Sequence, residues 1–118
     1  MDEFTVTSSQ LFPSGSALTK LTGEMDGSNF DLLEDEFNKL LESGIDGLIL
    51  DISGVDGLTS AGIGAILNMS SLLASRKGKL VVAAPRPKIL GTIEMLGIQD
   101  TLTIAPNFEA AKKILDAR

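Results

Sequence analysis

The chain is expected to fold as an α/β sandwich, with a mixed, mainly parallel sheet, an N-terminal antiparallel strand and about four helices. Three observations point there. From residue 28 onward, short apolar runs alternate with longer segments of helical periodicity. The runs are continuously apolar rather than alternating, as strands covered on both faces are. Glycine or proline stands at most of the boundaries, where a chain leaves one element for the next. Strands separated by helices are joined by crossovers, and crossovers set them parallel. The 118 residues are read as a single domain over 1–118, within the usual range of about 100–200 residues per domain.

Residues 5–7 and 17–21 are short and β-tolerant, and the stretch between them (SSQLFPSGS, residues 8–16) is rich in turn formers. They are read as an N-terminal hairpin with a long loop. Residues 28–43 are the clearest helix, because Phe30, Leu33, Phe37, Leu40 and Leu41 recur at helical spacing while Glu34, Asp35, Glu36 and Lys39 fill the other side. Ser28 with Asp31 resembles a capping box, and Gly44 supplies the stop. Residues 47–52 read as a buried strand. A second helix opens at Thr59-Ser60-Ala61, carries Ile63, Ile66, Leu67 and Leu73 on one face, and stops near Gly78. Residues 80–84 form the next strand, ended by Pro85. A third helix starts at Pro87, where a missing N–H costs nothing, and stops at Gly97. Residues 101–104 are the last strand, and a helix from Pro106 carries Phe108, Ala111 and Leu115 inward. In such an order, ligands and partners meet the loops beyond the strand C-termini. Those loops are Gly23-Glu24-Met25-Asp26, residues 51–60 and residues 84–88.

Composition narrows the chemistry. With no Cys and no His, the chain has no thiolate or imidazole ligand, no Cys nucleophile and no Ser-His-Asp triad. Carboxylate-metal, Lys or Ser chemistry, a phosphoacceptor role, or binding alone remain, and binding is favoured. Absence of Cys suits a reducing cytoplasm. The acidic N-terminus lacks the features of a signal peptide, and no apolar run is long enough to span a bilayer. A net charge of −6 argues against a general nucleic-acid binder. Residues 1–56 hold 12 acids and 2 bases, whereas residues 57–118 hold 4 acids and 8 bases. Such asymmetry can steer a charged partner.

The informative segment runs from Asp51 to Leu67, leaving a strand, crossing Gly54 and Gly57, and entering a helix at Ser60. Ser60 reads two ways: a plain N-cap accepting a first-turn N–H, or a functional hydroxyl whose phosphate the helix N-terminus would tolerate. Gly62 and Gly64 cost about 1 kcal/mol each against Ala inside a helix, which asks for a reason. They give a partner close access to Ser60, or they allow tight helix-to-sheet packing. Asp26 and Asp51 either line the same rim or bind turn N–H groups. Sharper motifs fail. Gly62-x-Gly64 lacks the third glycine of a dinucleotide fingerprint, since Leu67 stands there, and no Walker A sequence exists. Ser60 has Leu58 two residues before it and no His to activate it, so it is not a nucleophile elbow.

Gly23-Glu24-Met25-Asp26, Leu50-Asp51-Ile52-Ser53-Gly54-Val55 and Thr59-Ser60-Ala61-Gly62-Ile63-Gly64 together resemble the STAS domain of bacterial anti-sigma factor antagonists. The resemblance covers the chain from about Thr19 to Leu115. It implies a small α/β sandwich and a non-enzymatic protein without cofactor or metal. In that family the serine aligned with Ser60 is phosphorylated by a partner anti-sigma factor, a serine kinase of the GHKL type. The unphosphorylated form binds that partner and releases the sigma factor, and a PP2C-type phosphatase restores it. By the same resemblance Asp26, Asp51, Thr59, Ser60, Gly62 and Gly64 form the partner-binding rim, with Ser60 the switch. Thr59 stands where Asp is usual, and Ala61 where a second hydroxyl is common. These departures leave a second job open for the same fold: a non-phosphorylated subunit of a lipid-transport or sensory assembly.

Overall fold

Thr5–Gln10 (β1) and Ser16–Met25 (β2) pair antiparallel, and Gly47–Leu58 (β3), Lys79–Ala83 (β4) and Thr103–Ala105 (β5) follow, each parallel to its neighbour. The sheet order is β1-β2-β3-β4-β5. Phe30–Glu42 (α1), Ser60–Ser75 (α2), Pro87–Met95 (α3) and Phe108–Asp116 (α4) connect and close it, in the order expected from the sequence. The computed structural model describes residues 3–10 and 15–117. Residues 11–14, in the middle of the expected turn, lie outside the described residues.

Alternation along β3 decides which helix covers which face. Leu48, Leu50 and Ile52 pack in one cluster with Leu33 and Phe37 of α1, Ile66, Met69 and Leu73 of α2, and Ile89 and Ile93 of α3. Ile49 points the other way, into a smaller cluster with Val81, Ala83, Ala105 and the α4 residues Ala111 and Leu115. Three helices therefore cover one face and α4 covers part of the other. Each fully buried Leu, Ile, Val or Met side chain among them contributes about 1.5–3 kcal/mol of transfer free energy.

β2 and β3 are longer than expected, and this shapes the functional end. They were expected to end near residues 21 and 52, yet they stay paired through Thr22↔Gly54, Gly23↔Val55, Glu24↔Gly57 and Met25↔Leu58. The register shifts between Lys20 and Thr22 and again between Gly23 and Glu24. Glycines that look like loop formers in the sequence serve these irregularities. A Cβ on Gly54 would lie 2.7 Å from Thr22 Cγ2 and 3.0 Å from the Leu21 carbonyl oxygen. Gly23 sits at φ +93°, with its Cβ position 3.0 Å from Phe4 Cα, so a side chain there is both strained and blocked. β1 likewise extends over Ser8–Gln10, part of the expected turn, because these residues pair with residues 17–19 of β2.

Smaller shifts have local causes. α4 starts at Phe108 rather than Pro106, because the Asn107 side chain caps it, Oδ1 accepting from the Ala110 N–H at 2.8 Å. β5 begins at Thr103 instead of 101. β4 stops at Ala83, and Ala84 turns into the left-handed region at φ +58° while its N–H donates to the Ala105 carbonyl at 2.9 Å. That conformation costs an L-residue with a Cβ roughly 1–2 kcal/mol. Ala84→Gly is therefore expected to raise stability by about 0.5–1 kcal/mol, despite glycine's larger entropy loss. Urea unfolding of the two proteins measures it, and an unchanged or lowered midpoint would show the strain to be absent.

Candidate functional site

The C-terminal ends of β2 and β3 bring two turns side by side. Because β3 runs to Leu58, the chain breaks into α2 only at Thr59, whose backbone is extended at φ −86° and ψ 171°. The Thr59 N–H donates to the carbonyl of Met25, the last residue of β2, at 3.1 Å. Thr59 is thus the N-cap and Ser60 the first helical residue, not the cap the sequence suggested. The Thr59 hydroxyl makes no capping bond. It turns instead toward the Met25 carbonyl at 3.5 Å. Ser60 is exposed, and the first bond within α2 runs from the Ile63 N–H to the Thr59 carbonyl at 2.9 Å. The first turn of α2 carries no acidic residue. Its leading N–H groups and helix dipole therefore face the rim uncompensated by a carboxylate of their own.

The neighbouring turn follows Met25. Asp26 Oδ1 accepts from the Ser28 N–H at 2.8 Å and from the Ser28 hydroxyl at 2.6 Å. Asn29 locks the other side: its Oδ1 accepts from the Asp26 N–H at 2.9 Å and its Nδ2 donates to the Glu24 carbonyl at 2.9 Å. The expected capping box of Ser28 with Asp31 does not form. Ser28 serves Asp26, Asn29 becomes the N-cap without a side-chain cap bond, and α1 starts at Phe30. Gly27 lies against α2: a Cβ there would be 4.0 Å from Ala61 Cβ. Asp26 and Ser60 thus belong to adjoining turns.

The Ser28 hydroxyl and then the Ser28 N–H hold the Asp26 carboxyl below the ordinary aspartate value of 3.8, against a smaller opposing desolvation and with a still smaller contribution from the Asn29 N–H. A depressed folded-state pKa means that the carboxylate stabilises this turn above pH 3.8, and that the contribution is lost as pH falls through the lower folded value. A carboxyl-detected NMR titration is expected to place the Asp26 midpoint below 3.8, with the Ser28 amide moving at the same midpoint. Ser28→Ala should return the midpoint toward 3.8, and no movement would remove Ser28 as the cause.

The other expected rim residues separate. Asp51 is inside β3, opposite Lys20 and Ala83, with its carboxylate accepting from the Ser53 N–H at 2.9 Å. It shares the face of Ile49, turned toward α4's side of the sheet, and the strand carries on from there to Leu58, roughly 20 Å at strand rise. The sequence placed Asp51 at a strand end, and the extension of β3 removes it from the Ser60 rim. Gly62 is buried. A Cβ there would sit 2.9 Å from Leu58 Cδ1 and 3.0 Å from Met25 Cε, so Gly62 packs the helix onto the sheet and does not clear the surface for a partner. Gly64 is exposed, with nothing within 4 Å of its Cβ position. Asp56 is exposed on the outer part of β3.

Arg86, not singled out from the sequence, reaches across: its Nε–H donates to the Ser53 carbonyl at 2.9 Å, tying the start of α3 to β3 beyond the end of β4. No local sequence signal announces a bond across 33 residues. Among the described residues no group of three or more His, Cys, Asp or Glu is placed to hold a metal ion, and no helix is long and apolar enough to cross a membrane.

Comparison with known proteins follows the same lines. The STAS domain family model matches residues 13–111. A Bordetella bronchiseptica protein that carries the provisional name anti-sigma factor antagonist BtrV is 27% identical over 97 residues, covering 82% of this chain and 84% of its own. The crystal structure of an anti-sigma factor antagonist from Mycobacterium paratuberculosis superimposes with a TM-score of 0.86 at 20% identity, over 97% of this chain and 95% of that one. The unphosphorylated form of the antagonist SpoIIAA gives a TM-score of 0.75 at 16% identity, over 95% and 96% of the two chains.

Proposed function

The chain belongs to the STAS domain family, and from that premise we propose that it is a cytoplasmic, non-enzymatic anti-sigma factor antagonist switched by phosphorylation of Ser60. Unphosphorylated, it binds an anti-sigma factor of the GHKL serine-kinase type and so releases a sigma factor. Transfer of the ATP γ-phosphoryl group to the Ser60 oxygen, with loss of the hydroxyl proton, breaks the complex. A PP2C-type phosphatase hydrolyses the ester and restores binding. Asp26, Thr59 and Gly64 border the contact. The names of the relatives support the class of partner.

One observation carries the reading of Ser60: an exposed hydroxyl at the first position of a sixteen-residue helix whose first turn has neither a side-chain cap nor an acid. A phosphate there meets free N–H groups and the positive end of the dipole, an interaction of about 0.3–1 kcal/mol in its favour. The side chain of Thr59, which stands where Asp is usual, does not occupy the helix start. The threonine hydroxyl turns away toward the Met25 carbonyl and leaves the first-turn N–H groups without a side-chain cap. The test is reconstitution: the chain, ATP and the anti-sigma kinase encoded in the same genome, followed by mass spectrometry. A single phosphate on Ser60, absent from Ser60→Ala, is the expected result. Stable binding to the kinase without any phosphate transfer would leave the fold's antagonist role but remove the switch.

A further inference from the structure

We propose that the open edge of β1, with the cavity between strands β1 and β2 and helix α1, is a docking groove for an extended basic peptide segment of a partner protein. The segment would add one more strand to the sheet and seat a Lys or Arg side chain in the cavity. Two independent features meet here. Among the described residues β1 pairs with β2 and no other strand, so its outer N–H and C=O groups form a template for another strand. Its sequence TVTSSQ holds no charge and no proline, and its pairing runs without a register shift from Thr5↔Thr22 to Gln10↔Ala17. The devices that usually blunt an edge are therefore missing from this strand. The opposite edge, β5, has three residues and ends at Pro106.

The cavity measures about 220 Å³. Ala17, Leu40 and Ile45 give it an apolar floor, and Ser8, Ser43 and Glu36 a polar rim. That is the layout for an aliphatic stem below and a cationic head above, bonded to a carboxylate. Alternate residues of an added strand point to the same face, so main-chain bonds supply affinity while the cavity selects one side chain. The charge around it selects the sign. α1, which packs against β1, carries Asp31, Glu34, Asp35, Glu36 and Glu42 against Lys39. The same charge disfavours a second copy of the chain on this edge, because two-fold pairing of β1 would bring two acidic α1 helices toward each other.

The proposal is independent of the role of Ser60, and its probe is a phage-displayed library of random heptapeptides selected on the immobilised protein. Enriched sequences should alternate β-branched residues around a Lys or Arg. The synthetic peptides should shift backbone NMR signals of β1 and of residues 36–45. Glu36→Lys, at a half-buried position lining the cavity, should weaken them by about tenfold or more, and Glu36→Gln, which removes the charge at nearly the same size, should weaken them in the same direction with unchanged thermal unfolding. Alternate residues of an edge strand point their N–H outward. Of Thr7→Pro and Ser8→Pro, the variant that loses an outward N–H should therefore stay folded and lose the peptide, while the other loses a β1–β2 bond. The proposal is overturned by no enrichment over background, by peptides that bind Glu36→Lys equally well, or by shifts confined to other residues. Concentration-dependent dimers that shift β1 signals would overturn it in favour of self-pairing.

Discussion

Ser60→Asp is expected to bind the anti-sigma partner 100- to 1,000-fold more weakly than Ser60→Ala, a difference of about 2.7–4 kcal/mol. Both variants should unfold at nearly the parent temperature. The folded state tolerates the charge, since Ser60 is exposed at a helix start whose dipole favours an anion by about 0.3–1 kcal/mol. The complex does not. A partner surface built to cover a neutral hydroxyl must take the added charge out of water without a cation waiting for it. It must do so beside the adjoining turn, where the Ser28 bonds keep Asp26 ionised. Phosphoserine, with about −1.5 to −2 charges, should act more strongly than Asp in the same direction. Calorimetric titration of both variants against the proposed anti-sigma partner decides it. Equal affinities would reduce Ser60 to an ordinary first-turn residue.

Gly62 and Gly64 are expected to fail in opposite ways, although two residues apart on one helix. Gly62→Leu should cost about 1–3 kcal/mol of stability or more, because the new side chain is forced against Leu58 and Met25, the last residues of β3 and β2. Any loss of partner binding there should follow the loss of fold. Gly64→Arg projects into open space. Removing a mid-helix glycine should add up to about 1 kcal/mol of stability. The same side chain stands one helical turn from Ser60 and should block a docked partner, weakening it about 100-fold, or about 2.7 kcal/mol. Thermal unfolding and partner titration of the two variants give four numbers. A destabilised Gly64→Arg, or a stable one that binds normally, would take Gly64 out of the contact.

Several features were legible in the sequence because their causes are local. The continuous apolar runs at 47–50 and 80–83 identified strands buried on both faces, and the helical spacing of Phe30, Leu33 and Phe37 identified the inner side of α1. With the punctuation by Gly44, Pro85, Pro87 and Gly97, these settled the order of the elements and put Ser60 at an exposed helix start. The tertiary structure alone decided where β2 and β3 end, and most of the site followed from that. Gly54 and Gly57 look like a loop until β2 is laid beside them, where a Cβ on Gly54 would meet the Leu21 carbonyl and Thr22 backbone and one on Gly57 the Glu24 side chain. Once β3 continues to Leu58, Asp51 is left behind in the strand and Thr59 replaces Ser60 as the cap. Gly62 then closes onto Met25 and Leu58, and Arg86 finds the Ser53 carbonyl. Periodicity and capping reach only a few residues along the chain. Strand register is fixed by hydrogen bonds between segments some thirty residues apart, and only the folded sheet brings those segments together.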